Sequence, residues 1–520
     1  MPTPSSEVIV IGGGTNGLAC AARLAQAGRK VTVLEAGAVA GGGAATVEFA
    51  PGYRVSGLAH LLSLLDTRVI EGMNLSRHGL AYAATDLSTT ALSTSGQHLG
   101  LDGPFAARLS GSVSPKDAKA WAELRARLML FAGALAPFKA MPPPRIARDG
   151  RNEWLKLGKL GLDVRRMGKD EFREFLRMIL INVADVLEDD LDDDRLRGAV
   201  AFDTVLGAWL GPRSPNSLIL LLNRIAGEAA GQKAALALPK GGMGSVAAAM
   251  AKAAEASGVR LRTSATVARI LVEGDRAVGI SMANGEELRA GLVISAINPR
   301  TTFQGLVGPQ SLDAGFYRQT NHIRSRGGAA KLHLALKGAP DFRGANLKSR
   351  LLVAPSIRAV EDAFNAVKYG EVPDRPVLEA ILPSAHEGGV APEGHHVLSA
   401  VVQFAPHAPK QGLEAARALM LENTLKVLEE QAPGLRDLIV KAELLMPQDI
   451  EARYGLVGGN WHHGELAVEQ MLFLRPLPQA AQYATPLPGL WLAGAGNHPG
   501  GGISGAAGWN AAERILKERA

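Results

Sequence analysis

The chain has 520 residues, 47% of them apolar, with 56 Lys+Arg against 50 Asp+Glu, 60 glycines and one cysteine. That length allows roughly two or three domains with a large core, and the lone Cys20 excludes a disulfide scaffold, a CxxC redox pair and a thiolate zinc cluster. A net charge of +6 with acids and bases intermixed argues against a nucleic-acid partner, and no apolar run reaches the ~18 residues of a membrane span.

Met1 to Ser6 has neither the basic nor the apolar part of a signal peptide, so a cytoplasmic location is expected. The β-branched run Glu7 to Ile11 reads as a buried parallel strand. It runs into Gly12-Gly13-Gly14-Thr15-Asn16-Gly17, an Ala/Leu-rich helix ending near Gly28, and a second strand, Lys30 to Leu34, closed by Glu35. Gly12, Gly14 and Gly17 satisfy G-x-G-x-x-G in a strand–turn–helix–strand setting, which a chance glycine turn lacks. Gly12 permits the tight turn, Gly14 lets backbone approach a pyrophosphate, and Gly17 lets helix and strand pack closely. Glu35 can accept hydrogen bonds from both ribose hydroxyls. Gly12, Gly14, Thr15, Asn16, Gly17, Glu35 and Ala36 are therefore candidate dinucleotide-binding residues. Cys20 lies inside the helix as a small buried apolar group.

A second glycine run, Gly41 to Gly43, follows six residues after Glu35. From about Phe105 to Leu236 the pattern is helical, broken at Met141 to Pro144. Within it, Lys139 to Arg177 holds eleven Lys/Arg against six Asp/Glu, a solvated helical face or a peripheral contact with an anionic membrane surface. Glu188 to Asp194 reads as a polar loop and helix start, without calcium-loop spacing. Gly242-Met243-Gly244-Ser245-Val246-Ala247 mimics a second nucleotide motif, but it follows Pro239-Lys240 rather than a buried strand, and the strand beyond it ends without an acid.

Val259 to Asn298 reads as a small β-meander that returns to the main sheet. Strands over Ala329 to Leu336, Val377 to Leu382 and His396 to Phe404, covered by a helix from Gly412 to Gln431, suggest the sheet of a second domain. Near the C-terminus a strand from Leu490 to Ala493 enters the richest glycine turn, Gly494 to Gly505, and a helix is expected from about Ile503 to Lys517. A helix N-terminus there would stabilise negative charge on a cofactor.

These residues resemble the FAD-dependent oxidoreductases of the phytoene desaturase type, within the wider amine-oxidase-like superfamily. The similarity is greatest to the pyridine nucleotide-disulfide oxidoreductase domain-containing protein 2 branch. It rests on Gly12 to Gly17 with Glu35, Gly42-Gly43-Ala44-Ala45, Leu238 to Gly244, Tyr454 to Gly464, and His498 to Gly502 with Gly505-Ala506-Ala507-Gly508. The resemblance implies an α/β fold: a Rossmann-like FAD-binding domain (1–100, 235–310 and 485–520) with an inserted α+β substrate domain (101–234 and 311–484). It implies FAD, held by Gly12, Gly14, Thr15, Asn16, Gly17, Glu35, Ala36, Gly42 and Gly43. Val267 would meet adenine, Gly494 the phosphates, and Gly502, Ile503 and Ser504 the flavin ring. Two departures stand out: many relatives carry Arg after the GG pair, where this chain has Gly43 or Ala44, and many carry an acid at the position of Ala495.

With no cysteine pair, redox chemistry rests on the cofactor. The expected reaction is hydride removal from a C–H bond of an apolar small molecule, isoprenoid or lipid-like, with a quinone or dioxygen as electron acceptor. His463, Asn460 and His498 are the polar residues expected near the ring. No metal site is expected, since no H-E-x-x-H spacing occurs, and no G-x-S-x-G follows a strand. An amine or amino-acid oxidase, or an FAD-bound interaction protein, are the alternatives; a homodimer is a further expectation.

Overall fold

The computed structural model describes residues 7–143, 158, 161–162 and 168–518. The Met1 to Ser6 segment and much of the basic Lys139 to Arg177 stretch lie outside them.

Two sheets organise the molecule. The first is five-stranded and parallel, in the order 260–262, 30–34, 7–11, 292–295 and 490–492. Its centre is β1 (Glu7–Ile11), joined through α1 (Thr15–Gln26) to β2 (Lys30–Leu34). Side chains alternate across the sheet. Val8, Val10, Val31 and Val33 pack on α1 and on the helices Met243–Ala256 and Ala506–Glu518. Ile9, Ile11 and Leu34 pack on the opposite side against the antiparallel ribbon 267–289. With both faces covered, each buried Val or Ile contributes about 1.5–3 kcal/mol, which is why these strands read as unbroken apolar runs.

The second sheet has eight strands, in the order 439–445, 329–336, 396–403, 377–381, 350–353, 89–91, 99–102 and 108–111. Here the boundary expected at residue 100 is corrected. Strands Thr89–Ala91 and Leu99–Asp102 belong to this larger sheet, because Thr89–Ala91 pairs in parallel with Arg350–Val353. Leu332, Leu334, Leu378, Leu398 and Val402 face the helix Leu413–Gln431. The alternate positions are Lys331, His333, Glu379 and Ser399, all buried. The expected strands and covering helix thus form as read, but with polar groups on the inner face.

A helical cluster (115–139, 183–190, 194–205, 218–225 and 357–368) closes this side around Trp121, Phe131, Phe202 and Leu221. The acidic run is corrected in part: Glu188 to Asp190 form the end of the helix Val183–Asp190 rather than a loop, while Asp193 caps the helix Asp194–Val205, accepting from the backbone N–H of Arg195 and Leu196. The last helix starts at Ala506 rather than Ile503. Gly505 has φ +68°, and Ser504 Oγ accepts from Ala506 N at 3.2 Å, so the preceding turn stays non-helical. No helix among the described residues is long and apolar enough to cross a membrane.

Candidate active site

A cavity of about 880 Å³ runs from the C-terminal end of β1 to the inner face of the larger sheet. Its first part is made by glycines. Gly12 (φ +99°) follows β1, and Gly14 is the N-cap of α1, with no side chain capping the helix. The first N–H groups of a helix lack intrahelical acceptors, so this end is built for an anion. A Cβ added at Gly14 would meet nothing within 4 Å, whereas one at Gly17 would lie 2.0 Å from the Gly12 carbonyl oxygen and 3.1 Å from Ala296 Cβ. Gly14 therefore leaves space for a ligand, and Gly17 leaves space for the protein's own backbone.

Glu35 stands beside this turn at the end of β2. Its Oε2 accepts from Gly13 N and its Oε1 from Gly37 N, both at 2.7 Å, which fixes the carboxylate on the cavity wall. Gly12, Gly14, Thr15, Asn16, Glu35, Ala36, Gly42, Gly43, Val267, Gly502 and Ile503 all line the cavity. Gly17, Gly494 and Ser504 do not line it. Gly494 is needed for packing, since a Cβ there would lie 2.6 Å from the Ala296 carbonyl oxygen. Ser504 caps the last helix, as described above.

The second nucleotide-like motif is accounted for by packing. The backbone N–H groups of Met243 and Gly244 donate to Ser56 Oγ and Thr46 Oγ1 at 3.0 and 3.1 Å, so the hairpin 46–56 already satisfies that helix start. Cys20 is fully buried and burial pushes its thiol up to about 12. It takes no part in redox chemistry at neutral pH.

The polar residues at the far wall of the glycine turn are arranged differently from expectation. Asn460 is buried and does not line the cavity. Its Nδ2 donates to the Arg326 carbonyl (3.0 Å) and its Oδ1 accepts from His462 N (2.9 Å), so it shapes the turn that presents His462 and His463. His498 is also outside the lining, its Nε2 2.6 Å from the Phe138 carbonyl oxygen, tying the end of the helix Pro115–Lys139 to the glycine turn. Histidines in glycine-rich turns commonly serve backbone carbonyls in this way. His463 does line the cavity, with φ +57° and a buried Nδ1 that has no partner.

His462, which sequence reading did not single out, lines the cavity as well. Its Nδ1 is buried without a partner, and a Cβ on Gly501 would lie 2.3 Å from that nitrogen. Burial and the nearby Arg475 lower His462 to about 3 and His463 to about 4, so both are neutral at pH 7. Arg475 is 2% exposed and donates to the carbonyls of His462, Gly464 and Ala495 at 2.6, 3.2 and 3.0 Å. It locks the histidine turn to the glycine turn.

The inner sheet adds a network that the sequence does not announce. His60 Nε2 lies 3.0 Å from Glu379 Oε1, and Lys331 Nζ lies 2.8 Å from His60 Nδ1. Arg350 donates through Nε to Glu379 Oε2 at 2.5 Å and through its terminal nitrogens to both Asp203 oxygens at 2.5 and 3.2 Å. His60, Asp203 and Glu379 reach the cavity wall. Burial, then Lys331, lowers His60 to about 4, and burial alone lowers Lys331 to about 7. Burial would raise Glu379, but Arg350 and His60 outweigh it and hold the carboxyl well below the usual range. A usable signal was present: Lys331 and His333 sit in the apolar strand Ala329–Leu336, where a polar residue needs a partner.

The parts fit FAD on observations independent of any relative: an uncapped helix start over bare glycine, a carboxylate beside it, and orphaned imidazole nitrogens at the third glycine turn. Fold and site together define an FAD-dependent oxidoreductase. Residues 17–516 match the family of flavin containing amine oxidoreductases, and the chain belongs to that family. It is 30% identical to pyridine nucleotide-disulfide oxidoreductase domain-containing protein 2 of Rattus norvegicus over 99% of this chain and 94% of that protein. It is also 30% identical to phytoene desaturase (neurosporene-forming) of Cereibacter sphaeroides, over 61% of this chain and 59% of that one. Putrescine oxidase bound to putrescine shares the fold at a TM-score of 0.60 and 16% identity, covering 99% of this chain and 98% of that one.

Proposed function

We propose that the protein removes a hydride from a C–H bond of an apolar small molecule, as a desaturase, dehydrogenase or oxidase. The observation that carries this reading is the continuity of one cavity from the dinucleotide-binding glycines to a chamber walled by Leu206, Leu220, Leu236, Val401, Leu456 and Leu466. FAD, when bound, supplies the two-electron acceptor.

The chain's own residues do the rest. Gly12, Gly14 and the start of α1 would hold the pyrophosphate, Glu35 the ribose, and Gly502 with Ile503 the ring. The aliphatic wall excludes water and orients a substrate by shape. Making a C=C bond also releases a proton, which balances the one taken up when a quinone or dioxygen is reduced to a quinol or hydrogen peroxide. A quinone or dioxygen would reoxidise the cofactor. The relative named as a phytoene desaturase supports an isoprenoid or lipid-like substrate.

The test is anaerobic mixing of the holoenzyme with isoprenoids, long-chain acyl compounds and amines, reading bleaching of the visible flavin band. Bleaching by apolar C–H donors is expected; bleaching by amines alone overturns the reading. Photoreduction followed by mixing with dioxygen or a quinone checks that the flavin turns over, and a flavin that accepts no electrons would leave an interaction protein.

A further inference from the structure

We propose that Arg224 receives the carboxylate of an otherwise apolar substrate at the polar end of the cavity. This rests on the reading of the protein as an oxidoreductase for apolar molecules and names the head group such a molecule carries.

Arg224 lies on the helix Leu218–Ile225 and lines the cavity, with its side chain 20% exposed. Its described ion-pair partner is Asp203, at 3.4 Å, in a contact that is not a hydrogen bond, and its charge also acts on Glu379. Asp203 is already held on both oxygens by Arg350, which is 1% exposed. The guanidinium of Arg224 therefore presents its donors beside aliphatic walls, next to a carboxylate whose better bonds go elsewhere. Such a planar fork matches a carboxylate in two parallel hydrogen bonds.

The hydrogen-bond inventory around it selects the same head group. The basic groups are Arg224, Arg350 and Lys331; the acids are Asp203, Glu379 and, at the adjoining wall, Asp86, and His60 is neutral at pH 7. Each oxygen of Asp203 and Glu379 already accepts from Arg350 or contacts His60. An ammonium head would bring only further donors to a guanidinium that lacks acceptors. A carboxylate would bring the acceptors that Arg224 lacks. Burial brings Lys331 close to neutrality at pH 7, so Arg224 supplies the permanent positive charge beside the cavity with open donors.

The experiment uses the FAD-loaded enzyme and three ten-carbon probes, decanoate, 1-decanol and decylamine, below their micelle concentrations. Binding is read by calorimetry and by perturbation of the flavin spectrum, neither of which needs turnover. Decanoate is expected to bind at least tenfold tighter than the other two. Arg224→Met is expected to bring decanoate to the level of 1-decanol while leaving 1-decanol unchanged, and Arg224→Lys to recover part of the difference. Equal binding of the three, tightest binding of decylamine, binding of none, or an unchanged decanoate affinity in Arg224→Met overturns the proposal. Where Arg224→Met fails to fold, the ranking of the three probes on the wild-type protein decides alone. Photoreduction and reoxidation of the same samples without probe test the oxidoreductase reading separately, so one can fail while the other stands.

Discussion

Trp461 donates its indole Nε1–H to Nε2 of the adjacent His462 at 3.0 Å, and that bond decides which imidazole nitrogen carries the proton. With Nε2 accepting and the ring neutral, the proton is on Nδ1, the buried atom with no partner beside Gly501. A buried donor without an acceptor is costly, so the site gains when a ligand oxygen or nitrogen arrives there. His462→Ala is expected to weaken FAD binding about tenfold, the equivalent of one hydrogen bond, and Trp461→Phe to weaken it less. Titration of the apoprotein with FAD, read by flavin fluorescence, checks both. Unchanged affinity in both variants would show that this nitrogen does not serve the cofactor.

Gly14 and Gly17 separate cofactor space from protein space. Gly14→Ala is expected to leave the apoprotein's thermal midpoint within about 2 °C, because the new methyl enters open cavity at an ordinary φ of −69°. Its FAD affinity should fall at least about tenfold. Gly17→Ala is expected to lose both FAD and roughly 3 kcal/mol of stability, since its methyl would meet the Gly12 carbonyl. Thermal melts and retained flavin absorbance distinguish the two; equal melts would contradict this division.

Arg350 is the hub between Asp203 and Glu379. Arg350→Met would leave the buried Glu379 carboxylate without its cation and Asp203 with Arg224 alone, at a cost of about 3–5 kcal/mol, read by urea denaturation. The double change Arg350→Met with Glu379→Gln should recover part of that loss. A single variant as stable as wild type would mean the network is more hydrated than its burial indicates.

Acid should unfold the protein early. His60, His463 and His498 are each lowered to about 4 and His462 to about 3, first by burial. Because the unfolded chain takes up these protons near pH 6.5 and the folded one does not, the stability that the neutral histidines preserve is full above 6.5 and falls as the pH drops toward 4. Lys139 and Lys331, lowered to about 8 and about 7, already tilt the midpoint above pH 7, so melting at half-unit intervals from pH 8 to 4 should show a second decline below about 6.5. His498→Gln, which keeps a donor toward the Phe138 carbonyl, should make that decline shallower.

The first βαβ unit was legible because all its signals are local: a β-branched strand, glycines at set spacing, an Ala/Leu helix and an acid after the next strand. The strands 329–336, 377–381 and 396–403 were legible for the same reason. His498 and Asn460 were misjudged because their residue types suit both catalysis and turn-making, and only the positions of Phe138 and Arg326 show which carbonyls they serve. The start of the last helix was missed by three residues, since Gly505 and Ser504 act through backbone geometry that glycine-rich sequence leaves open.

By itself, the sequence determined the cofactor class. One cysteine removes thiol chemistry, and glycine spacing with Glu35 specifies a dinucleotide cradle through steric rules that operate within a few residues. The tertiary structure alone decided what faces that cradle. His60, Asp203, Arg224, Lys331, Arg350 and Glu379 come from six separate segments, and their charges acquire meaning only once burial removes water and leaves each dependent on the others.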